Sequence, residues 1–100
     1  DTEDRYVIAH SAFDYSHGVL NHHLPAEYAL QHPQDYLGVL YLTIPRLLEA
    51  SGISGNDIVG FGLDATAYIV LPFDMQGRSL CYKYPSEPQF HVKMWKHHVA

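Results

Sequence analysis

The sequence has 100 residues, of which 47% are hydrophobic and 17% charged, with a formal net charge of −5. This length allows one small domain or part of a larger one and rules out a second full domain. The negative charge argues against partners that need basic clusters, namely nucleic acid and anionic membranes. A single cysteine excludes an intrachain disulfide, and no apolar run reaches the roughly 18 residues of a membrane span, so we expect a soluble cytoplasmic protein.

The first 30 residues predict little regular structure. Residues 6–9 read YVIA, a short β-prone run that predicts one strand. Residues 13–30 follow neither a period of 2 nor one of 3.6, which predicts an irregular connection. Its larger apolar side chains are expected to pin this connection to a surface; they are Phe13, Tyr15, Leu20 and Leu24.

The next segment carries the clearest periodicity. Pro33 suits the first turn of a helix, and Asp35 suits the positive end of its dipole. Gly52 suits the position just beyond the last turn, so the helix should end there. Pro45 lies inside this span and predicts a kink near residues 42–45. The apolar residues follow helical spacing and form one stripe: Leu37, Leu40, Tyr41, Ile44, Leu47 and Leu48.

The second half alternates apolar runs with turn residues. Residues 58–63 read IVGFGL, which predicts a buried central strand in which the glycines allow close backbone approach. Residues 68–73 and a run ending near Tyr82 flank the turn residues 74–77, which predicts a β-hairpin. Residues 90–95 fit either a strand or the first turns of a helix. Together the pattern predicts an α/β fold with a mixed sheet and one long amphipathic helix.

The eight histidines and the lone cysteine raise the possibility of a metal site or a nucleophile. His22–His23 and His97–His98 are adjacent pairs whose side chains diverge, and no zinc-ligand spacing is present, so we predict no metal site. Cys81 lies between apolar neighbours and outside any nucleophile motif, so a packed thiol in a strand is the favoured interpretation.

Two polar groups remain as candidates for ligand binding. Asp64 and Thr66 follow an apolar strand, and the end of a buried strand is where α/β folds place ligand contacts; the alternative is an aspartate that caps a turn. Residues 95–98 read WKHH, which combines a flat ring that could cover the C–H face of a sugar with donors for hydroxyl groups. An exposed basic segment explains the same composition equally well.

The chain resembles the bacterial ribulokinases, members of the FGGY carbohydrate kinases. The resemblance rests on VGFGLDATAYIVLPFDMQGRSL at residues 59–80 and HVKMWKHHVA at residues 91–100, with YSHGV at residues 15–19 and LQHPQDY at residues 30–36 in the same order upstream. It spans nearly the whole chain.

This resemblance implies a ribonuclease H-like, actin-like lobe and phosphoryl transfer from ATP, with Mg²⁺, to a ketopentose hydroxyl, L-ribulose being the first choice. It implies that residues 1–100 are a partial N-terminal lobe, with the phosphate-binding hairpin before Asp1 and the catalytic aspartate and second lobe after Ala100. The positions that it assigns to the sugar site are Asp64, Thr66, Ala67, Tyr68, Trp95 and Lys96. The resemblance is also compatible with a homo-oligomer of the full-length protein.

The chain also departs from the family pattern. Ala65 stands where ribulokinases carry an aromatic residue, and Tyr68 and Ile69 replace a Cys-Thr pair. These changes leave the choice of sugar open. Two other interpretations therefore stand beside a ribulokinase segment: a catalytically inactive remnant that acts as a binding module, and an FGGY kinase for another sugar or polyol.

Overall fold

A computed structural model describes Asp1 and residues 3–98. In chain order it contains strand β1 (Leu30–Gln31), helix α1 (Pro33–Ser51), the short helix α2 (Leu80–Lys83) and strand β2 (Val92–Lys93). One-turn 3₁₀ helices lie at Gly55–Asp57 and Pro88–Phe90. The α/β class is confirmed. The predicted mixed sheet is wrong for the described residues, where the sheet is a two-stranded antiparallel pair.

Helix α1 begins and ends where the sequence predicts. Pro33 occupies the first turn, where its missing N–H leaves no hydrogen bond unmade. Gly52 adopts a left-handed φ of 68°, and its N–H donates to the carbonyl of Leu48 at 3.0 Å. The helix continues through Pro45 as one element.

The apolar stripe of α1 is only partly covered. Residues 6–9 lie over Leu47 and Leu48 and leave an apolar groove of about 440 Å³ between them. Leu37, Leu40 and Ile44 remain about half exposed, and the buried residues of the helix are Pro33, Asp35 and Thr43. The helix is therefore held mainly through its first turn rather than through its stripe.

The small core lies where β1 and β2 pair. Leu30 is opposite Lys93, and Gln31 is opposite Val92. Leu30, Val92 and Cys81 are almost completely buried, so this ladder and α2 enclose the apolar centre of the described residues. The packed thiol at Cys81 is confirmed, but it lies in α2 rather than in a strand.

The irregular connection over residues 13–30 is confirmed apart from Leu20 and the start of β1. Its pinning by apolar side chains is confirmed for Phe13 and Tyr15, and it stays a prediction for Leu20 and Leu24. The guanidinium of Arg46 lies 4.7 Å from the ring centre of Phe13, and the ring of Tyr15 meets that of Tyr36 edge-on at 5.3 Å. Leu20 pairs through its backbone with Leu30.

The predicted strands over residues 6–9 and 58–63 are wrong for this structure. Neither segment pairs as a strand, and Val59, Phe61 and Leu63 are 86%, 90% and 81% exposed. The side chains of an apolar strand are buried when helices or another sheet cover the faces of its sheet. Among the described residues, nothing covers Val59, Phe61 and Leu63 in this way.

The predicted hairpin is present only around its turn. The N–H of Asp74 donates to the carbonyl of Arg78 at 2.9 Å, and Phe73 pairs with Ser79. The Asp74 carboxylate accepts hydrogen bonds from the backbone N–H groups of Gln76 and Arg78 and from the Arg78 side chain. Residues 80–83 then form α2, so the second predicted strand is wrong.

Candidate functional site

Trp95 and Lys96 occupy the tip of a tight turn that directly follows β2. The N–H of His97 donates to the carbonyl of Met94 at 2.9 Å and closes the turn. Trp95 is 61% exposed, and Lys96 is also exposed. The turn therefore presents an aromatic ring and an ammonium group to solvent.

Three hydrogen bonds fix this turn to residues 27–29. The N–H of Met94 donates to the carbonyl of Ala29 at 3.0 Å, and the N–H of His98 donates to that of Glu27 at 3.1 Å. Between them, Nδ1 of His97 accepts the backbone N–H of Ala29 at 3.3 Å. Both ends of the turn are thus anchored.

The ring of His97 is positioned by a second contact. It meets the ring of Tyr28 edge-on, with centroids 4.9 Å apart. An imidazole nitrogen that accepts a hydrogen bond must be unprotonated, so in this arrangement the proton of the neutral ring is on Nε2. Sequence reasoning missed this anchor, because the adjacent pair His97–His98 gives no sign of a partner at Ala29, 68 positions away.

The other predicted sugar contacts lie in an exposed segment. Asp64, Thr66, Ala67 and Tyr68 are exposed, and Tyr68 is 88% accessible with a left-handed φ of 63°. A positive φ is uncommon for an aromatic residue and turns the chain sharply at this point. Asp64 makes no hydrogen bond or ion pair with the described residues; the alternative that it caps a turn gains no support.

A single backbone pair joins the chain just after residues 64–68 to β2, which precedes the Trp95–Lys96 turn. Val70 and Lys93 exchange backbone hydrogen bonds of 3.3 and 2.9 Å in antiparallel orientation. In an antiparallel pair, residues that precede one partner lie alongside residues that follow the other. Residues 64–68 precede this pair and the Trp95–Lys96 turn follows it, with the left-handed residue Tyr68 lying between the pair and Asp64.

The described residues contain no cluster of three or more His, Cys, Asp or Glu side chains that could hold a metal ion. Cys81 is buried, and its sulfur accepts a hydrogen bond from the hydroxyl of Ser79 at 3.2 Å. Within residues 3–98, no helix is both long and apolar enough to cross a membrane. The chemistry available at the candidate site is thus binding through a ring, an ammonium group, hydroxyls and one carboxylate.

Comparison with known proteins decides the family. The chain is 45% identical to the ribulokinase of Bacillus licheniformis over 102 aligned positions, which cover 93% of the chain. It is 40% identical to the ribulokinase of Shouchella clausii over its whole length. The chain belongs to the ribulokinases.

This membership agrees with the resemblance drawn from the sequence. A third ribulokinase, from Mycolicibacterium smegmatis, is 38% identical over 86% of the chain. No family model matches the chain. The chain spans about a fifth of the length of these curated ribulokinases, 17% to 19%.

Proposed function

We propose that the full-length protein to which these residues belong is a carbohydrate kinase that transfers a phosphoryl group from ATP to a ketopentose, with L-ribulose as substrate. The observation that carries this proposal is the 45% identity to a ribulokinase along 93% of the chain. The reaction class, phosphoryl transfer to a sugar, is proposed because these relatives are all named ribulokinase.

We propose that the described residues contribute part of the sugar pocket. The ring of Trp95 offers a flat apolar face for the C–H side of a sugar, and the ammonium group of Lys96 donates to hydroxyl oxygens. On residues 64–68, the Asp64 carboxylate accepts hydrogen bonds from hydroxyls, while Thr66 and Tyr68 both donate and accept. The small side chain of Ala67 leaves room for the ligand. The Val70–Lys93 pairing supports this assignment because it links the chain after residues 64–68 to the strand before the Trp95–Lys96 turn.

We also propose that residues 1–100 form part of an N-terminal ribonuclease H-like lobe. In such a lobe, residues 58–63 pair as a strand with segments of the longer protein. The exposure of Val59, Phe61 and Leu63 supports this proposal, because three large apolar side chains on one segment have no cover among the described residues.

ATP and Mg²⁺ are the proposed cofactors, but the described residues do not fit a Mg²⁺ site. They hold no cluster of metal ligands, and Asp64 stands alone as the acidic side chain among the proposed sugar contacts. We therefore assign the binding of ATP and Mg²⁺ to other parts of the full-length protein. The described residues would bind and orient the sugar.

Three further proposals concern the location and the partners of the protein. A cytoplasmic location and the absence of nucleic-acid partners agree with the net charge of −5 and with the single, buried cysteine. A homo-oligomer remains a prediction, which sedimentation of the full-length protein tests directly.

Calorimetric titration of the full-length protein with L-ribulose, D-ribulose, D-xylulose and glycerol tests the sugar site. We expect selective binding of a ribulose that is lost in Trp95→Ala and retained in Trp95→Phe, which keeps a flat ring. Tyr41→Ala is the matched control, because Tyr41 is also an exposed aromatic residue, 78% against 61% for Trp95, and lies on α1. Equal affinity in the Trp95→Ala and Tyr41→Ala variants would contradict the assignment. Ribulose binding without phosphorylation would favour the inactive binding module.

A further inference from the structure

A buried carboxylate ties the start of α1 to a segment far upstream. The side chain of Asp35 is 2% exposed and lies in the first turn of the helix. Its Oδ2 accepts the backbone N–H of His17 at 3.1 Å, and its Oδ1 lies 2.6 Å from Nδ1 of the same residue. Because a carboxylate only accepts hydrogen bonds, Nδ1 of His17 carries a proton. Residues 14–18 are thereby held against the helix.

A second histidine caps the same helix. His32 precedes Pro33 in an extended conformation, and its Nδ1 accepts the backbone N–H of Gln34 at 3.2 Å. A nitrogen that accepts this bond cannot be protonated, so the cap requires a neutral ring with its proton on Nε2. The positive end of the helix dipole also disfavours a cation at this position.

The groups around His32 also favour the neutral form of its ring. Its ring stacks on the ring of His17 from the upstream segment, with centroids 4.5 Å apart. The rings of Tyr82 in α2 and His91 next to β2 meet it edge-on at 5.9 and 5.8 Å. The carboxylate of Asp35 completes the set of titratable neighbours on α1.

Burial, followed by charge repulsion from His17 and His91, lowers the pKa of His32 from its ordinary value of 6.5, and the opposing attraction of Asp35 is the smallest of these effects. The folded chain therefore binds fewer protons at this site than the unfolded chain between the lowered pKa and 6.5. By linkage, the stabilisation is complete above pH 6.5 and is lost as the pH falls through this interval.

We propose that His17, His32 and Asp35 form a proton-sensitive clasp, closed at neutral pH and opened when a proton enters the ring of His32. A proton on His17 alone keeps the clasp closed, because the Asp35 carboxylate faces that ring. A proton on His32 removes the acceptor of the helix cap and places a cation at the positive end of the helix dipole. The first turn of α1 then loosens, while the Asp35 carboxylate still accepts the hydrogen bonds of His17.

Hydrogen exchange of the intact protein tests the clasp. The peptide covering the first turn of α1 is followed at pH 7.5 and 5.5, with each rate divided by the intrinsic rate at that pH. We expect protection of this peptide to fall about fivefold on acidification, which is the typical worth of a helix cap. In His32→Asn we expect no such fall, because asparagine is a good capping residue and does not titrate.

His22→Asn is the matched control, because His22 is an exposed histidine outside the clasp. It should show the same fall in protection as the unsubstituted protein. Exchange at the imidazole carbon of His32 supplies a second measurement that does not depend on any variant, and it should give His32 a pKa below the ordinary value of 6.5. The clasp is refuted if His32 titrates at the ordinary value, or if His32→Asn keeps the full pH dependence of the first turn.

Discussion

Val70 and Lys93 form a two-way backbone pair, in which the N–H of each residue donates to the carbonyl of the other at 3.3 and 2.9 Å. Lys93 belongs to β2, which pairs on its other side with β1. The exposed segment 64–68 is thereby attached to the best-packed part of the described chain. The proposed sugar pocket depends on this attachment.

Removing one donor of the pair should weaken sugar binding. Val70→Pro deletes the N–H that donates to Lys93, because proline has no backbone donor. We expect affinity for the sugar to fall about tenfold, which corresponds to the roughly 1.4 kcal/mol worth of a typical net hydrogen bond. Calorimetric titration of the full-length protein measures this change. Val70→Ala keeps both backbone bonds and is the control; equal affinities in the two variants would show that the pair does not position the site.

The ring of His97 should position the Trp95–Lys96 turn. In His97→Leu, the N–H of Ala29 loses its acceptor, and we expect a several-fold loss of sugar affinity. His97→Asn supplies an oxygen near the place of Nδ1 and should restore much of the affinity. Trp95 is the single tryptophan of these 100 residues, so its fluorescence reports on the turn in full-length protein whose other tryptophans are replaced by phenylalanine. Identical affinity and emission in both variants would contradict this role.

Gly38 should limit the stability of α1. It lies in the helix interior, and a Cβ added there meets no atom within 4 Å. Gly38→Ala should therefore raise the free energy of unfolding by about 1 kcal/mol. Gly52→Ala is the opposite control, because alanine at a φ of 68° is strained by about 1–2 kcal/mol and should destabilise the protein. Urea denaturation measures both changes, and a stabilising effect of both variants would be inconsistent with this structure.

Asp35 should contribute more to stability than its neighbours on the surface. Asp35→Ala removes a carboxylate that accepts two hydrogen bonds from His17 and leaves the backbone donor of His17 without its acceptor. We expect a loss of about 1.5–3 kcal/mol in the free energy of unfolding, as for hydrogen bonds to charged groups. Asp14→Ala changes an exposed carboxylate on the same upstream segment and should stay within about 0.5 kcal/mol of the unsubstituted protein. Equal effects of the two substitutions would rule out the anchoring role of Asp35.

Local sequence signals were sufficient for α1 but not for the strands. Pro33 and Gly52 act within one turn of the helix, so their effect is visible in the sequence itself. The apolar run at residues 58–63 is also visible, but burial of a strand depends on neighbours from elsewhere in the chain. Predicting a buried strand from that run alone was therefore an error for these residues. Residues 90–95 fitted either a strand or a helix in the sequence. In the structure, Val92–Lys93 form β2 because Val92 pairs with Gln31 of β1.

The side-chain contacts that fix the candidate site and the clasp were beyond the reach of local patterns. His97 meets Ala29, and His17 meets Asp35, across long separations in the sequence. The sequence did place Asp35 at the favourable end of the helix, although it gave no sign of the residue that Asp35 binds. Histidines that appeared scattered along the chain gain their roles only when the fold brings them to a backbone donor or a carboxylate.

The central claim is that these residues form the sugar-binding part of a ribulokinase, and ATP-dependent phosphorylation of L-ribulose by the full-length protein tests it most directly. We predict turnover of L-ribulose, with a large increase in KM for Trp95→Ala and an unchanged KM for Tyr41→Ala. An unchanged KM in Trp95→Ala would contradict the placement of the sugar site. A folded full-length protein that phosphorylates no ketopentose would contradict the proposed activity.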